Sequence, residues 1–222
     1  MSTAPGKVEL SQRSVEIPPS GVRGDLITPA NPQGIIVFAH GSGSSRLSPR
    51  NRFVAAVLQQ GSLATLLLDL LTEQEEQLDL QTRELRFDIN LLSNRLIQTG
   101  RWLQTDAEVG ALPLGLFGAS TGTAAALIAS TEIPQAVRAI VSRGGRPDLA
   151  GTALRKVNAP TLLVVGSEDH RVIELNKKAM NELACEKKLE IVPGATHLFE
   201  EAGTLEKAAR LANDWFQGHL ST

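Results

Sequence analysis

A serine in the segment GASTG, residues 118–122, has the surroundings expected of a nucleophile. The apolar residues 114–117 before it are typical of a short buried strand, and the small residues 123–129 after it favour a helix. On a sharp turn from strand to helix a serine hydroxyl stands clear of the sheet, and side chains two residues away on either side would collide with neighbouring backbone. The G-x-S-x-G pattern is common by itself. Between a strand and a helix it predicts a nucleophile at Ser120 rather than an incidental turn residue.

A serine hydroxyl is a weak nucleophile at neutral pH and needs an adjacent base. His197 follows the last predicted strand, and an imidazole titrates near neutral pH; a solvated loop histidine is the alternative. Asp169 follows the preceding strand and could hold the imidazole in one tautomer, with a helix N-cap as its alternative role. The carboxyl ends of parallel strands meet at one edge of a sheet, so the chain order serine, acid, histidine predicts a catalytic triad there.

Acyl transfer through a tetrahedral intermediate also needs two backbone N–H donors for the oxyanion. One is expected from Thr121, directly after the serine and at the start of its helix. The other is expected from the segment HGSG, residues 40–43, whose glycines let backbone approach a substrate closely. We assign it to Ser42, with Gly41 as the alternative. His40 is expected to anchor this loop, because His197 fills the role of base better.

The elements that must position these groups alternate between apolar runs and helical patterns. Near-continuous apolar runs predict buried parallel strands, at residues 35–39, 64–68, 114–117, 139–141, 161–165 and 189–192. Helices are predicted between them, from Ser48-Pro49 to Gly61, after the serine turn, and at 83–98, 172–184 and 204–217. Residues 7–28 alternate as antiparallel strands, and residues 70–82 read as an acidic loop with Glu73, Glu75 and Glu76 in solvent.

This alternation is typical of one α/β domain over residues 1–222, a mostly parallel, doubly wound sheet flanked by helices. Residues 1–20 would be an N-terminal β extension of that sheet. Only residues 142–160 separate the strand at 139–141 from the next one. The sequence therefore predicts no lid domain, an open and shallow cleft, and a preference for small substrates.

Composition argues against several other classes of protein. The formal net charge of −2 does not favour nucleic acid as a partner, and no apolar stretch reaches the roughly 20 residues of a membrane span. The single cysteine, Cys185, and an N-terminus without an apolar signal core indicate the cytoplasm. The histidines and the cysteine lack the spacing of metal ligands, so neither a metal nor a cofactor is expected. A small-molecule substrate is the expected partner, and nothing in the sequence specifies the oligomeric state.

Three arginines near the predicted strand ends could contact an anionic part of a substrate. Arg143 and Arg146 lie in the loop after the strand at 139–141, and Arg50 lies just past the oxyanion loop, beside Asn51. Ion pairs within the loop, with Asp148 as the candidate partner, are the favoured interpretation for the first two.

Together these segments resemble the dienelactone hydrolase-like group of the α/β-hydrolases, from about residue 20 to the C-terminus. The resemblance is carried by HGSG at 40–43, GASTG at 118–122, GSED at 166–169 and GATH at 194–197. It implies the α/β-hydrolase fold, with Ser120 as nucleophile, Asp169 as acid and His197 as base. Dienelactone hydrolases proper carry cysteine as the nucleophile, which argues against dienelactone itself as the substrate. Cys185 is expected at the end of a helix, away from any strand terminus, and does not replace that cysteine.

The expected activity is hydrolysis of a small ester, thioester or lactone through an acyl-serine intermediate. Acyl transfer to another acceptor and cleavage of a peptide bond use the same triad and stay open as alternatives. A binding protein with an inert hydrolase fold is a third possibility. The intact triad and the intact glycines around Ser120 argue against it.

Overall fold

A computed structural model describes residues 9–220 of the chain. Its strands are β1 (Leu10–Ile17), β2 (Val22–Pro29), β3 (Ile35–Ala39), β4 (Ala64–Leu68), β5 (Leu114–Ala119), β6 (Val137–Arg143), β7 (Thr161–Gly166) and β8 (Lys187–Val192). Its helices are α1 (Pro49–Gln60), α2 (Glu73–Thr82), α3 (Ile89–Leu103), α4 (Thr121–Glu132), α5 (His170–Glu182) and α6 (Thr204–Leu220). Short 3-10 segments lie at Leu85–Phe87 and Pro147–Lys156.

The eight strands form one sheet in the order β1-β2-β4-β3-β5-β6-β7-β8. The pairs β1–β2 and β2–β4 are antiparallel, and every other neighbouring pair is parallel. This arrangement confirms the predicted mostly parallel, doubly wound sheet. The chain leaves β3 toward β4 on one side and returns to β5 on the other. The carboxyl ends of β3 and β5 therefore border the crevice where ligands bind in open α/β sheets.

Both faces of the sheet are covered by helices, which explains the near-continuous apolar runs. On one face, Ile35 and Val37 of β3 pack in a cluster with α3 and α4. On the other face, Ile36 and Phe38 pack in a cluster with α1 and α6. Alternate residues of each inner strand thus serve separate cores, and the loops at the strand ends are left to form a site.

The segment after β4 differs from the prediction. Residues 73–82 form α2 rather than a loop, because Thr72 and Glu75 make a reciprocal capping box at its start. Only Asp79 of α2 is buried, so this helix has no apolar stripe that a periodicity search could detect. Glu75 also pairs with Arg95 at 2.5 Å, so it is not simply solvated.

The next predicted helix is shifted along the chain. Arg83 adopts a left-handed conformation (φ +59°) that ends α2, and α3 begins only after Asp88, whose side chain accepts from the Leu91 N–H. Between the end of β6 at residue 143 and the start of β7 at residue 161, the chain forms only the 3-10 segment, so the predicted absence of a lid domain is confirmed.

The predicted N-terminal β extension is described only from residue 9 onward, where β1 pairs along its whole length with β2. Its first eight residues lie outside the described part of the chain. No helix within residues 9–220 combines the length and the apolar character needed to cross a membrane.

Candidate active site

Ser120 sits on a strained turn between β5 and α4. Its backbone angles are φ +50° and ψ −122°. Residues other than glycine rarely adopt this conformation, which costs about 1–3 kcal/mol. A Cβ at Gly118 would lie 2.5 Å from the Cα of Thr123, and a Cβ at Gly122 would overlap the carbonyl oxygen of Ala39. Both flanking glycines are therefore sterically required, as the motif predicts.

Backbone N–H groups lie on both sides of Ser120, where the sequence predicts the oxyanion donors. The N–H of Thr121 is among the first four of α4, which have no acceptor within the helix. In the loop after β3, the N–H of Ser44 donates to Gly41 O at 3.2 Å and closes a turn. The Ser42 N–H inside that turn has no acceptor within residues 9–220. A Cβ at Gly41 would lie 2.9 Å from the Cβ of Ser120, so the turn approaches the serine directly.

His40 holds this oxyanion loop against the end of β4. Its Nδ1 lies 2.9 Å from Gly41 O and its Nε2 lies 3.0 Å from the Leu70 N–H. Nδ1 can donate only if it carries the proton, and Nε2 can accept only without one, so this pattern requires the neutral imidazole. Burial lowers the pKa of His40, which favours the same neutral form. The predicted anchoring role of His40 is confirmed.

Asp69, the residue after β4, stabilises the end of the same loop through Arg46. Its carboxylate accepts from the Arg46 backbone N–H at 2.7 Å and forms an ion pair with the Arg46 guanidinium. No specific role for Asp69 is predicted from the sequence, although its place directly after a buried strand marks it as a strand-end residue.

His197 and Asp169 meet at the same edge of the sheet. His197 Nδ1 lies 2.6 Å from Asp169 Oδ2. Asp169 occupies the N-cap position of α5, but its side chain makes no capping hydrogen bond there. The predicted pairing with the histidine, rather than the alternative capping role, is what this geometry shows. With Nδ1–H donating to the carboxylate, Nε2 is left free to accept a proton.

The loop carrying His197 is stabilised by Glu201, for which the sequence predicts no role. Glu201 accepts from the Thr196 N–H at 3.0 Å and from the Thr196 hydroxyl at 2.7 Å. Glu201 lies beyond the last predicted strand and in no recognisable motif, so only the folded loop identifies it.

Ser120 and His197 line one cavity of about 260 Å³, together with Ser42, Arg50 and Arg143. No hydrogen bond joins Ser120 Oγ to the His197 ring within residues 9–220. In unliganded sites such bonds are often long and tighten only when substrate is bound. The assignment of nucleophile, base and oxyanion donors stays a prediction that this arrangement permits.

The three candidate arginines have different partners. Arg146 forms two hydrogen bonds of 2.8 Å with Asp148 and does not line the cavity, as the ion-pair interpretation expects. Arg50 lines the cavity and pairs with the exposed Glu200 at 3.1 Å. Arg143 also lines the cavity, but it has no carboxylate partner within residues 9–220, so the ion-pair interpretation is wrong for it.

A larger cavity lies at the amino ends of the strands and is lined by none of the candidate catalytic or substrate-binding residues. That cavity, of about 470 Å³, is lined mainly by the loop at residues 109–114 and by parts of α3 and α6. Cys185 also lies away from the candidate site, with its Sγ 3.7 Å from the hydroxyl of Thr161 at the start of β7. The prediction that it avoids any strand terminus is wrong, but it is remote from the carboxyl ends. No cluster of three or more potential metal ligands occurs in the part of the chain that the structure describes.

The sheet order, the strained serine and the triad-like arrangement at the strand ends are those of an α/β-hydrolase. The chain belongs to the dienelactone hydrolase family, whose model matches residues 22–220. It is similar to the crystal structure of a dienelactone hydrolase from Anabaena variabilis ATCC 29413, with 52% identity and a TM-score of 0.92. That match covers 96% of this chain and 99% of the other.

A structure of low sequence identity shares the fold. The structure of Est1E from Butyrivibrio proteoclasticus superposes with a TM-score of 0.74 at 14% identity, covering 92% of this chain and 98% of the other.

A protein of Mycobacterium tuberculosis (strain ATCC 25618 / H37Rv) named putative phosphoribosyl transferase is 56% identical over 202 residues. The match covers 91% of this chain and 45% of that protein, so the chain spans about half the length of the curated relatives it matches.

Proposed function

We propose that this chain is a serine hydrolase that cleaves a small ester, thioester or lactone through an acyl-Ser120 intermediate. The observation that carries the proposal is that the strained Ser120 turn and the 2.6 Å His197–Asp169 hydrogen bond both lie at the carboxyl ends of the strands. A strained serine is costly to fold, and such strain is concentrated at functional sites. Membership of the dienelactone hydrolase family supports a hydrolase.

In the proposed reaction, Ser120 Oγ attacks the substrate carbonyl carbon while His197 Nε2 takes the hydroxyl proton. Asp169 accepts from Nδ1–H and stabilises the imidazolium. The backbone N–H groups of Ser42 and Thr121 hold the tetrahedral oxyanion, and each donor of this kind contributes about 3 kcal/mol to lowering the barrier. As the intermediate collapses, the imidazolium gives its proton to the leaving oxygen or sulfur. Water then attacks the acyl-enzyme with His197 again as base, and the acid and Ser120 are released.

The site supports a small substrate. A cavity of about 260 Å³ without a lid offers little enclosed volume for a long acyl chain. We propose that the chain acts as one α/β-hydrolase domain in the cytoplasm on a small molecule, without a cofactor and without a nucleic acid or membrane partner. The net charge of −2 and the lone cysteine support this view.

Other activities on the same triad stay open to test. Acyl transfer requires an acceptor other than water, and peptide cleavage requires protonation of a poorer leaving group by His197. The name of the Mycobacterium tuberculosis relatives refers to proteins more than twice as long as the matched segment. The site assembled here supports a hydrolase rather than transfer of a phosphoribosyl group.

The test is labelling by a fluorophosphonate probe together with turnover of p-nitrophenyl acetate. Wild type should label and turn over, and Ser120→Ala should do neither while keeping its fold. Ser42→Ala is the matched control, because the oxyanion donor at position 42 is the backbone N–H and survives loss of the hydroxyl. Asp169→Asn should lower kcat by about 10⁴-fold, because the amide favours the wrong imidazole tautomer. A folded wild type that stays unlabelled would refute the proposal and favour a binding protein.

A further inference from the structure

Asn176 is a fully buried amide on α5 that reaches out of its own helix toward the candidate site. Its relative exposure is 0%, and its Nδ2 donates to Val172 O at 2.8 Å and to Gly145 O at 3.0 Å. Its Oδ1 is buried and has no hydrogen-bond partner within residues 9–220. A buried acceptor without a partner costs free energy. The chain keeps an amide here despite that cost, which draws attention to what the bond to Gly145 holds in place.

The acceptor belongs to a diglycine segment, residues 144–146, that runs between the serine turn and the histidine loop. The N–H of Arg146 donates to Ser120 O at 3.0 Å. Gly144 has φ +52°, and a Cβ there would lie 3.1 Å from His197 O and 3.5 Å from His197 Nδ1. The diglycine segment is therefore in contact with both the residue proposed as nucleophile and the residue proposed as base.

The serine turn depends on this segment for its conformation. Strained backbone persists only where the surrounding structure over-determines it. The Ser120 N–H donates to Arg143 O at 3.3 Å, and its carbonyl accepts from Arg146, so the ties lie on either side of the two glycines. Two glycines in succession leave the backbone free to move, and a Cβ at Gly145 would overlap the Ser142 hydroxyl oxygen. The segment cannot be stiffened by a side chain of its own at residue 145 and needs an anchor from outside.

We propose that Asn176 is a positioning residue that anchors the diglycine segment and thereby sets the spacing between Ser120 and His197. Its helix begins directly after Asp169, the partner of His197, so α5 both follows the acid and carries the anchor of the segment. Asn176 does not line the cavity and would act only through the backbone of the segment. The inference rests on the proposed hydrolase function and adds a residue to it. A misplacement of about 1 Å in such a site can lower the rate about 100-fold.

The kinetic test is Asn176→Leu, which keeps the approximate size of the side chain and removes its donor. We expect kcat for p-nitrophenyl acetate to fall at least about tenfold while KM stays within about twofold, because the residues that line the cavity are unchanged. Labelling by the fluorophosphonate should slow by a similar factor, since it reports attack by Ser120 without deacylation. Wild-type kcat in a folded Asn176→Leu would overturn the proposal.

Gln59→Met is the matched control. Gln59 is also a buried amide on a helix, and its Nε2 donates to the Thr65 hydroxyl at 2.7 Å, away from the serine turn. Its replacement should lower the melting temperature but keep kcat within about twofold. An equal loss of kcat in Gln59→Met would mean that general loosening of the fold, not the anchor, slows the reaction, and would also overturn the proposal.

Asn176→Asp tests the hydrogen bond itself and does not depend on the Leu variant folding. Burial raises the pKa of a carboxyl, and a protonated carboxyl can donate to Gly145 O whereas a carboxylate cannot. Its kcat relative to wild type should therefore be higher at pH 6 than at pH 8. A ratio that is equally low at both pH values would overturn the proposal. A folded wild type that neither labels nor turns over would instead refute the proposed function, so the two failures are distinguishable.

Discussion

The loop that follows β3 separates two regions in which arginines have different kinds of partner. On the side facing α2, Arg46 is paired with Asp69 and Asp25, and Arg86 is paired with Asp79 at 2.5 Å. On the cleft side, Arg143 contacts the amide of Asn51 and the Phe117 ring but no carboxylate of the described residues 9–220.

Depth of burial makes the difference informative. Arg46 and Arg86 are partly exposed, whereas Arg143 is buried, with only 8% of the residue exposed. The most buried of these three arginines is therefore the one without a carboxylate partner within residues 9–220. The paired arginines Arg46 and Arg86 join neighbouring segments of the fold, whereas Arg143 lines the cavity beside Ser120.

The strongest way to test the paired side is to remove the partner of Arg86. Asp79→Asn keeps the shape of the side chain but leaves the guanidinium uncompensated. We expect it to lower the free energy of unfolding by about 2 kcal/mol, less than the roughly 3–5 kcal/mol of a fully buried pair, because Arg86 retains some exposure. Urea denaturation measures the loss. Glu174→Gln, which breaks the exposed pair with Lys177, is the control and should change stability by less than about 0.5 kcal/mol.

The same carboxylate sets a pH dependence. Burial raises the pKa of Asp79, but the hydrogen bonds and charge of Arg86 outweigh it and hold the pKa below its usual value of 3.8. The stabilisation is therefore complete above pH 3.8 and is lost as the pH falls through the folded-state pKa. The gap between wild type and Asp79→Asn should close in that acid range; an equal gap at pH 3 and pH 7 would contradict the assignment.

The cleft side is tested by giving Arg143 a carboxylate. Asn51→Asp places an acid where Asn51 Oδ1 now lies 3.2 Å from Nη2. The new ion pair should raise the free energy of unfolding by about 1 kcal/mol, because a charged acceptor then faces the buried guanidinium. Urea denaturation measures the gain. Asn94→Asp adds the same charge on the exposed face of α3 and should change stability by less than about 0.5 kcal/mol. A lower stability in Asn51→Asp would mean that the desolvation of the new carboxylate outweighs its pairing with Arg143.

The sequence was sufficient for the strands and the serine turn, for identifiable physical reasons. Both faces of the sheet are buried, so the inner strands are uninterrupted apolar runs, and steric overlap at Gly118 and Gly122 admits no other residue. The α2 helix lacks such a signal, since it buries only Asp79. The spacing of Thr72 and Glu75 was a readable capping box, and it was missed because the acidic composition suggested solvent.

The different partners of Arg143, at the end of β6, and Arg146, three residues later, could not be read from the sequence. Arg143 and Arg146 are three residues apart, and Asp148 is close to both along the chain. Arg143 is the last residue of β6, so it follows the alternation that places Ala139 and Val141 on the face covered by α1 and α6. Its side chain points to Asn51 on that face, whereas Arg146 lies past the strand and can turn back to Asp148.

A smaller effect is expected at the loop that carries His197. Glu201 is a paired acid on the cleft side, and its hydrogen bonds from Thr196 hold its pKa below 4.5. Glu201→Gln keeps an acceptor but weakens both bonds, so kcat should fall only about threefold while the melting temperature stays nearly constant. Glu206→Gln in the first turn of α6 is the control. A large loss of stability in Glu201→Gln would show that the brace supports the whole fold rather than the histidine loop.

The smallest effect is expected at Cys185, which belongs with the groups whose partner is internal. Its thiol contacts the Thr161 hydroxyl, and burial raises its pKa, so the thiolate is scarce at neutral pH. Cys185→Ala should keep turnover of p-nitrophenyl acetate within about twofold, and alkylation of wild type by iodoacetamide should be slow at pH 7 and faster as the pH rises. Loss of turnover after alkylation of wild type, but not of Cys185→Ala, would show that the amino edge of the sheet communicates with the site.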